Sequence, residues 1–176
     1  PIPRGTADYP RIFQMVRVVS ELTDRPLLPG NDIQPLINGD RAYPEMLEAI
    51  ESARQSVSLV SYIFDNDKTG TEFLDALERA CRRGVEVRVM VDGVGAHYSR
   101  PTIESELSRR TIPHAVFLPT RVPRLFNYAN LRNHRKILVV DGRVGFTGSL
   151  NIRESCRLDR KPSHPVQDIH FRIEGP

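Results

Sequence analysis

The sequence predicts an α/β fold in which a mixed, mostly parallel sheet is covered by helices on both faces. Helical and strand patterns alternate from Tyr43 to Pro119, and short strand patterns return between Lys136 and the end of the chain. Strands that are joined through helices pair in parallel and place those helices on the faces of the sheet. The 176 residues, with 39% hydrophobic and 27% charged residues, suffice for one domain with a core.

The first regular helix is predicted over residues 44–55, where four apolar side chains share one face: Met46, Leu47, Ile50 and Ala53. Pro44 suits its first turn, because a proline there loses no helical hydrogen bond. Residues 57–64 are β-branched and aromatic, which predicts a strand. Residues 70–84 then predict a helix that ends at Gly84.

The pattern continues with a predicted strand at 85–91, a short helix at 101–110 and a strand at 114–119. The carboxyl ends of parallel strands gather ligands. The loops 65–70 and 92–99 follow two such ends, so they are either pocket walls or plain turns.

The start of the chain has a different composition from the rest. Residues 1–35 contain six prolines and one short apolar stretch, which predicts an arm or leader, and residues 36–176 are predicted to form the domain. No run approaches the roughly 18 apolar residues that a membrane span needs. Cys81 and Cys156 fit no metal-ligand spacing, so we expect two reduced thiols.

Positive charge is concentrated in one part of the sequence. Residues 121–161 hold ten Lys or Arg against three acidic residues, while the whole chain has a net charge of only +3. Such a segment favours an anionic partner: phosphate, nucleic acid or an acidic membrane surface. A merely solvated basic face is the alternative.

The stretch NHRKILVVDGRVGFTGSLN, residues 133–151, combines a predicted β-hairpin with residues that a hairpin does not need. Asp141–Gly142 is a typical two-residue turn. His134 and Lys136 are two positions apart, so both side chains leave the same face of an extended strand. Asp141 cannot share that face by alternation, and we interpret it as a structural turn residue.

A histidine and a lysine on one face suit phosphate-ester chemistry. The imidazole can attack phosphorus or protonate a leaving oxygen, and the ammonium can neutralise charge on the other oxygens. Gly148, Ser149 and Asn151 follow the second hairpin strand, and their backbone N–H, hydroxyl and amide groups can hold an oxyanion.

Together these residues spell His-x-Lys-(x)4-Asp followed by Gly-Ser-x-Asn, a combination that resembles the phospholipase D superfamily. The likeness covers about residue 36 to the end, and the flanking blocks look most like bacterial cardiolipin synthases. Two stretches depart from that branch: TGS at 147–149 stands where a Gly-Gly pair is frequent, and RESC at 153–156 replaces an acidic-plus-tyrosine ending.

The resemblance implies an α-β-α sandwich in which two such motifs share one active site without a metal or cofactor. One histidine forms a phosphohistidine intermediate and the other protonates the leaving alcohol. The implied reaction joins two phosphatidylglycerols and releases glycerol. This chain carries one motif, so residues 36–176 are expected to be the first half of a longer two-motif enzyme, inactive alone, or to pair with an identical chain.

Site residues follow from the same resemblance. His134 is the nucleophile or its acid/base partner, while Lys136 and Asn151, with Gly148 and Ser149, hold the phosphate. Asp168, at the start of the last predicted strand, is the candidate acid that orients His134. Three further histidines match no motif and are taken as ordinary, and a fourth shares the face of Asp168: His97, His114, His164 and His170.

The segment 121–136 is interpreted as an interfacial loop, because Leu125, Phe126 and Tyr128 alternate with arginines. A covered loop whose apolar residues pack inward is the alternative. We therefore expect a protein associated with the cytoplasmic membrane that binds anionic phospholipid. Two alternatives stay open: a phospholipase D-type phosphodiesterase or nuclease that acts as a homodimer, and a non-catalytic module that binds anionic lipid.

Overall fold

The computed structural model describes residues 10–24, 28–119 and 131–175. The helices are α1 (Pro10–Thr23), α2 (Asn38–Ser52), α3 (Lys68–Arg82) and α4 (Ile103–Arg109), with short 3-10 turns at Gly95–His97, Glu154–Cys156 and Leu158–Arg160. The strands are β1 (Asp32–Ile37), β2 (Ser56–Ser61), β3 (Glu86–Asp92), β4 (His114–Phe117), β5 (Ile137–Val140), β6 (Val144–Gly148) and β7 (Ile169–Glu174).

In the described residues, seven strands form one mixed sheet in the order β1-β7-β6-β5-β2-β3-β4. The α/β class and the mixed sheet are thus confirmed, but the prediction of a mostly parallel sheet is wrong. The pairs β2–β3 and β3–β4 are parallel, whereas β1–β7, β7–β6, β6–β5 and β5–β2 are antiparallel. The reason is that β5 and β6 form a hairpin that β7 extends, and antiparallel strands need no helical crossover.

The core lies between one face of the sheet and α2, α3 and α4. Along β2 and β3, alternate side chains such as Leu59 and Val89 are buried, while their neighbours are less so. They join Met46, Phe73 and Leu107 of the three helices in one buried cluster. The connections β2–α3–β3 and β3–α4–β4 join neighbouring parallel strands in the same direction along the sheet. Because such connections share one hand, both helices lie on one face.

The prediction of helices on both faces therefore needs correction for the described residues. The helices α2, α3 and α4 share a face, and the apolar side chains of α1, among them Met15 and Leu22, are largely exposed to solvent. Local sequence patterns predict that a helix exists, but the face on which it packs depends on strand order.

Two boundaries differ from the predictions. Helix α2 begins at Asn38, so Pro44 lies inside the helix and not in its first turn. Strand β1 begins at Asp32, within the segment that was interpreted as an arm, and pairs along its length with β7. The division of the chain at residue 36 stays a prediction.

Strand direction gathers the motif residues at one edge of the sheet. Because β5 and β7 run against the other strands, their first residues lie beside the last residues of β1, β2, β3, β4 and β6. We call this side of the sheet the motif edge. It holds His134 and Lys136 before β5, Gly148 at the end of β6 and Asp168 before β7.

Candidate active site

His134 and Lys136 lie next to Tyr62, which follows β2. The His134 and Tyr62 rings are 4.1 Å apart between centroids, and the Lys136 Nζ is 5.4 Å from the Tyr62 ring centroid. The Lys136 ammonium donates to the backbone oxygen of His134 at 2.7 Å. Partial burial lowers the pKa of Lys136, and the Asp168 carboxylate acts in the opposite direction. The imidazole is exposed, so it is accessible to a substrate.

Gly148 ends β6 in tight contact with β7. A Cβ atom there would lie 2.6 Å from the Ile169 oxygen and 2.7 Å from the His170 Nδ1, closer than any side chain allows. Glycine at 148 thus lets the following residue, Ser149, pass close to the start of β7. The Ser149 hydroxyl donates to the Asp168 carboxylate.

Asn151 is held by two other parts of the chain. Its side-chain Oδ1 accepts from the Ile63 N–H at 3.1 Å, and its backbone oxygen accepts from the Tyr43 hydroxyl at 2.5 Å. With Oδ1 occupied, the Nδ2 group is the part of the amide that can donate to a ligand; it has no partner within the described residues. Tyr43 is fully buried in α2, and burial is the main reason that its pKa is raised.

Asp168 accepts hydrogen bonds from the Ser149 hydroxyl and from the Ile169 N–H, the latter at 2.8 Å. Its own N–H donates to the Asn38 side chain at 2.9 Å. Among the described residues, no hydrogen bond joins Asp168 to the His134 ring. The predicted orienting role of Asp168 therefore stays a prediction.

His170 is 1% exposed, and neither of its ring nitrogens has a hydrogen-bond partner among the described residues. Burial lowers its pKa to about 4; the Asp168 carboxylate opposes this shift, and the Lys136 ammonium adds to it. His170 is therefore neutral at pH 7, beneath the Gly148 turn.

Asp141 lies at the opposite end of β5 from the histidine–lysine pair. Its carboxylate accepts from the backbone N–H groups of Arg54, Gln55 and Ser56 at 3.0, 2.8 and 2.9 Å. Asp141 and Gly142 both have positive φ, 53° and 65°, as a type I′ turn requires. Burial raises the pKa of Asp141, but the three N–H groups outweigh it, and the pKa is lowered. Asp141 thus fixes the start of β2.

Asp92, at the end of β3, was not predicted individually. It is 1% exposed and accepts from the backbone N–H groups of Val94 and Asn133, at 2.9 and 3.0 Å. The Arg132 guanidinium lies 3.8 Å from the same carboxylate. Asp92 therefore anchors the residues directly before His134. The sequence signal that could have found Asp92 was its position at the end of a predicted parallel strand, where the loop 92–99 begins.

The loop 65–70 is largely structural. Asp67 caps α3 by accepting from Gly70 N–H at 2.9 Å, and its other oxygen accepts from Glu154 N–H at 2.6 Å. Asp65 is buried and pairs with Arg153 at 3.1 Å.

The remaining histidines lie outside this arrangement. His97 shares a hydrogen bond of 2.7 Å with the Gly93 oxygen, His114 begins β4, and His164 is exposed. Leu125, Phe126 and Tyr128 lie outside the described residues.

Among the described residues, no group of three His, Cys, Asp or Glu side chains could hold a metal ion. Within the same residues, no helix has the length and hydropathy to cross a bilayer.

The sheet order and the motif edge define a phospholipase D-type α/β domain. A solved phospholipase D family member, Nuc from Salmonella typhimurium, superposes with a TM-score of 0.62 at 22% identity, covering 83% of this chain and 84% of that one. Phosphatidylserine synthase from Haemophilus influenzae Rd KW20 gives 0.63 at 16% identity, covering 81% of this chain and 33% of that one. Both likenesses show the fold.

Residues 46–159 match the family described as "Cardiolipin synthase, PLD-like domain", and the chain belongs to this family. Cardiolipin synthase 1 of Bacillus anthracis is 35% identical over 94% of this chain and 32% of that protein. Cardiolipin synthase B of Salmonella typhimurium is 37% identical over 84% and 36%. The chain thus spans about a third of the length of these relatives, and the resemblance stated from its motif is confirmed.

Proposed function

We propose that this chain supplies one half of the active site of a phosphatidyl transferase of cardiolipin synthase type. The reaction joins two phosphatidylglycerols and releases glycerol. The main support is the placement of an accessible imidazole, an ammonium and a side-chain amide at one edge of one sheet: His134, Lys136 and Asn151. Family membership and the relatives that are named cardiolipin synthases support the lipid substrate.

The proposed chemistry is a double displacement at phosphorus. A ring nitrogen of His134 attacks, a P–N bond forms, and the P–O bond to the leaving glycerol breaks. The histidine of a second motif gives its proton to that oxygen. The hydroxyl of the acceptor phosphatidylglycerol then attacks phosphorus, loses its proton to the second histidine and releases His134. We propose His134 as the nucleophile; the same scheme balances with the roles of the two histidines exchanged.

Three groups of this chain would hold the phosphoryl oxygens. Lys136 carries a positive charge beside the histidine, and Asn151 directs its Nδ2 away from the Ile63 bond. Ser149 keeps its hydroxyl on Asp168 in this structure, and its backbone N–H lies 3.3 Å from the Ile169 oxygen. Preformed donors of this kind stabilise negative charge that grows in a transition state.

The second motif comes from the other half of a longer chain or from an identical partner. In either case a strictly monomeric sample of the 176 residues would have little turnover with phosphatidylglycerol. Robust product from such a sample would contradict the shared-site proposal.

A phosphodiesterase or nuclease that works as a homodimer is the second candidate. The basic composition of residues 121–161 and the exposed Arg135 next to His134 favour it, because such charges could contact a phosphate backbone. Release of glycerol from phosphatidylglycerol, compared with cleavage of a single-stranded oligonucleotide, separates the two enzymes. A non-catalytic lipid-binding module would do neither.

An activated substrate tests the nucleophile without the second motif. Nitrophenolate leaves without a proton, so a nitrophenyl phosphodiester needs only the attack by His134. We expect a burst of nitrophenolate and a phosphoryl adduct on the peptide that contains His134. His134→Gln should abolish both, while the exposed control His164→Gln should retain them. An equal burst from His134→Gln would overturn the assignment of the nucleophile.

A further inference from the structure

The end of strand β2 contacts two of the groups that are proposed to attack and hold the phosphate. Tyr62 and Ile63 follow β2 directly. The Ile63 N–H donates to the Asn151 side chain at 3.1 Å. The Tyr62 ring contacts the His134 ring, with 4.1 Å between centroids. Two neighbouring residues therefore support one group that precedes β5 and one that follows β6.

The backbone at this strand end is closely packed. A Cβ atom at Gly95 would lie 1.6 Å from the Tyr62 oxygen, so the chain passes there only with glycine. The Ile63 oxygen accepts from the Ser61 hydroxyl at 2.7 Å and from the Ile152 N–H at 3.1 Å. Ser61 and Ile63 are buried, whereas Tyr62 is half-buried. The backbone of Tyr62 is thus held on both sides, and its ring lies at the motif edge.

The Tyr62 ring is placed to interact with positive charge. The Lys136 Nζ lies over it, 5.4 Å from its centroid, within the distance of about 6 Å at which an aromatic face attracts a cation. The His134 ring is closer still and tilted by 45°, so the two rings meet through their faces more than through their edges. Burial, more than any neighbouring group, raises the pKa of Tyr62, and its hydroxyl therefore stays neutral.

Attack on phosphorus changes the charge of the imidazole. A neutral imidazole uses the lone pair of one nitrogen for the P–N bond and keeps the proton on the other nitrogen. The ring becomes positive as the P–O bond breaks and its electron pair leaves with the oxygen. An aromatic face attracts that charge, which the free enzyme lacks, and an interaction that strengthens during the reaction lowers its barrier.

We propose that Tyr62 is a positioning residue whose ring holds the His134 imidazole and stabilises the positive charge that the imidazole acquires on attack. The inference rests on the proposed function and adds a residue outside the sequence motif. Among the described residues, no hydrogen bond joins Asp168 to the imidazole, whereas the Tyr62 contact is formed. The contact lies within this chain, so it is the same whichever partner supplies the second motif.

The nitrophenyl phosphodiester tests this role, because it needs only the attack by His134. Tyr62→Leu should slow the nitrophenolate burst roughly five- to tenfold, the effect of one cation–aromatic contact on a rate. Tyr62→Phe keeps the ring and should stay within about threefold of the unaltered chain. Phe117→Leu is the matched control: it removes an aromatic side chain from the open groove that also contains His134, and it should leave the burst rate unchanged.

Two readouts separate this role from a merely structural one. Because the charge develops only during attack, Tyr62→Leu should lower the maximum burst rate and leave the half-saturating substrate concentration within about twofold. Lys136 stays beside the imidazole without the ring, since its ammonium donates to the His134 backbone oxygen at 2.7 Å. Mono-, di- and trifluorinated phenylalanine at position 62 should slow the burst progressively, because fluorine withdraws electron density from the ring face.

Equal burst rates across the fluorinated series, or a Tyr62→Leu burst as fast as that of the unaltered chain, would overturn the proposal. So would an equal loss in Phe117→Leu, because the effect would then not depend on the contact with His134. If urea denaturation shows Tyr62→Leu to be unfolded, the fluorinated series decides, since it keeps the packing of the ring. An unaltered chain that forms no adduct would refute the proposed function and the role of Tyr62 with it, whereas an adduct whose formation ignores position 62 would refute the role of Tyr62 alone.

Discussion

Replacement of Asp141 should destabilise the fold while leaving the reacting groups in place. Asp141 belongs to the sequence motif, but its carboxylate lies at the far end of β5 and accepts three backbone N–H groups, from Arg54, Gln55 and Ser56. Hydrogen bonds to a charged acceptor contribute about 1.5–3 kcal/mol each when buried. Since Arg54 and Gln55 are exposed and water can replace part of the loss, we expect Asp141→Ala to cost about 2–4 kcal/mol.

Asp141→Asn should lower the free energy of unfolding by less, about 1–2 kcal/mol. The amide oxygen can still accept a hydrogen bond, whereas the amide NH₂ would face a backbone N–H that is also a donor. Urea denaturation measures both values. The pKa of Asp141 is lowered in the folded state, so its contribution is complete above the unfolded pKa and is lost as the pH falls through the lower folded value. The stability difference between the unaltered chain and Asp141→Ala should therefore shrink below about pH 4.

Glu86→Ala is the matched control, since Glu86 pairs with Arg88 at an exposed position. Its replacement should change the free energy of unfolding by less than about 0.5 kcal/mol. Under conditions where Asp141→Asn and the unaltered chain are both folded, the two proteins should give the same nitrophenolate burst. If Asp141→Asn lost the burst while its free energy of unfolding stayed unchanged, the structural role of Asp141 would be refuted.

Other changes have equally definite outcomes. Tyr43→Phe should lower the free energy of unfolding in urea by about 1–3 kcal/mol and slow adduct formation, because a partly buried backbone oxygen of Asn151 loses its donor. No change in either quantity would show that Tyr43 does not position Asn151. Asp92→Asn should lower the free energy of unfolding by about 2–3 kcal/mol, because a buried charge beside Arg132 is removed. An unchanged free energy of unfolding would show that Asp92 does not anchor the residues before His134. His170 binds a proton less readily folded than unfolded, so stability should fall as the pH drops from 6.5 towards 4. His170→Leu should reduce that loss by about 2 kcal/mol, and an identical pH dependence would contradict its buried, neutral state.

Sequence reasoning worked where the signal is local. The predicted strand at 57–64 and the predicted helix at 70–84 correspond to β2 and α3, because side-chain periodicity and glycine stops act over a few residues. Side-chain alternation along the predicted strand likewise indicated that Asp141 does not share a face with His134.

The relations that sequence reasoning could not supply are long-range. The pairing of β1 with β7 joins Ile37 to Ile169, and it makes residues 32–37 an edge of the sheet. The hydroxyl of Tyr43 donates a hydrogen bond to the backbone oxygen of Asn151, and no local sequence pattern predicts such a long-range contact. Resemblance made Asp168 a candidate partner of His134, but the side chain that donates to its carboxylate is Ser149, a contact that depends on how β6 and β7 meet.

The proposed function requires that an imidazole, an ammonium and an amide surround one phosphoryl-sized site. A titration of isotope-labelled chain with inorganic phosphate, followed by NMR of the His134 ring, the Lys136 Nζ and the Asn151 Nδ2 groups, tests it most directly. We expect all three signals to shift together with one dissociation constant, and we expect Lys136→Ala to remove the shifts of the other two. Signals that move independently, or that do not respond while phosphate binds elsewhere on the chain, would contradict it.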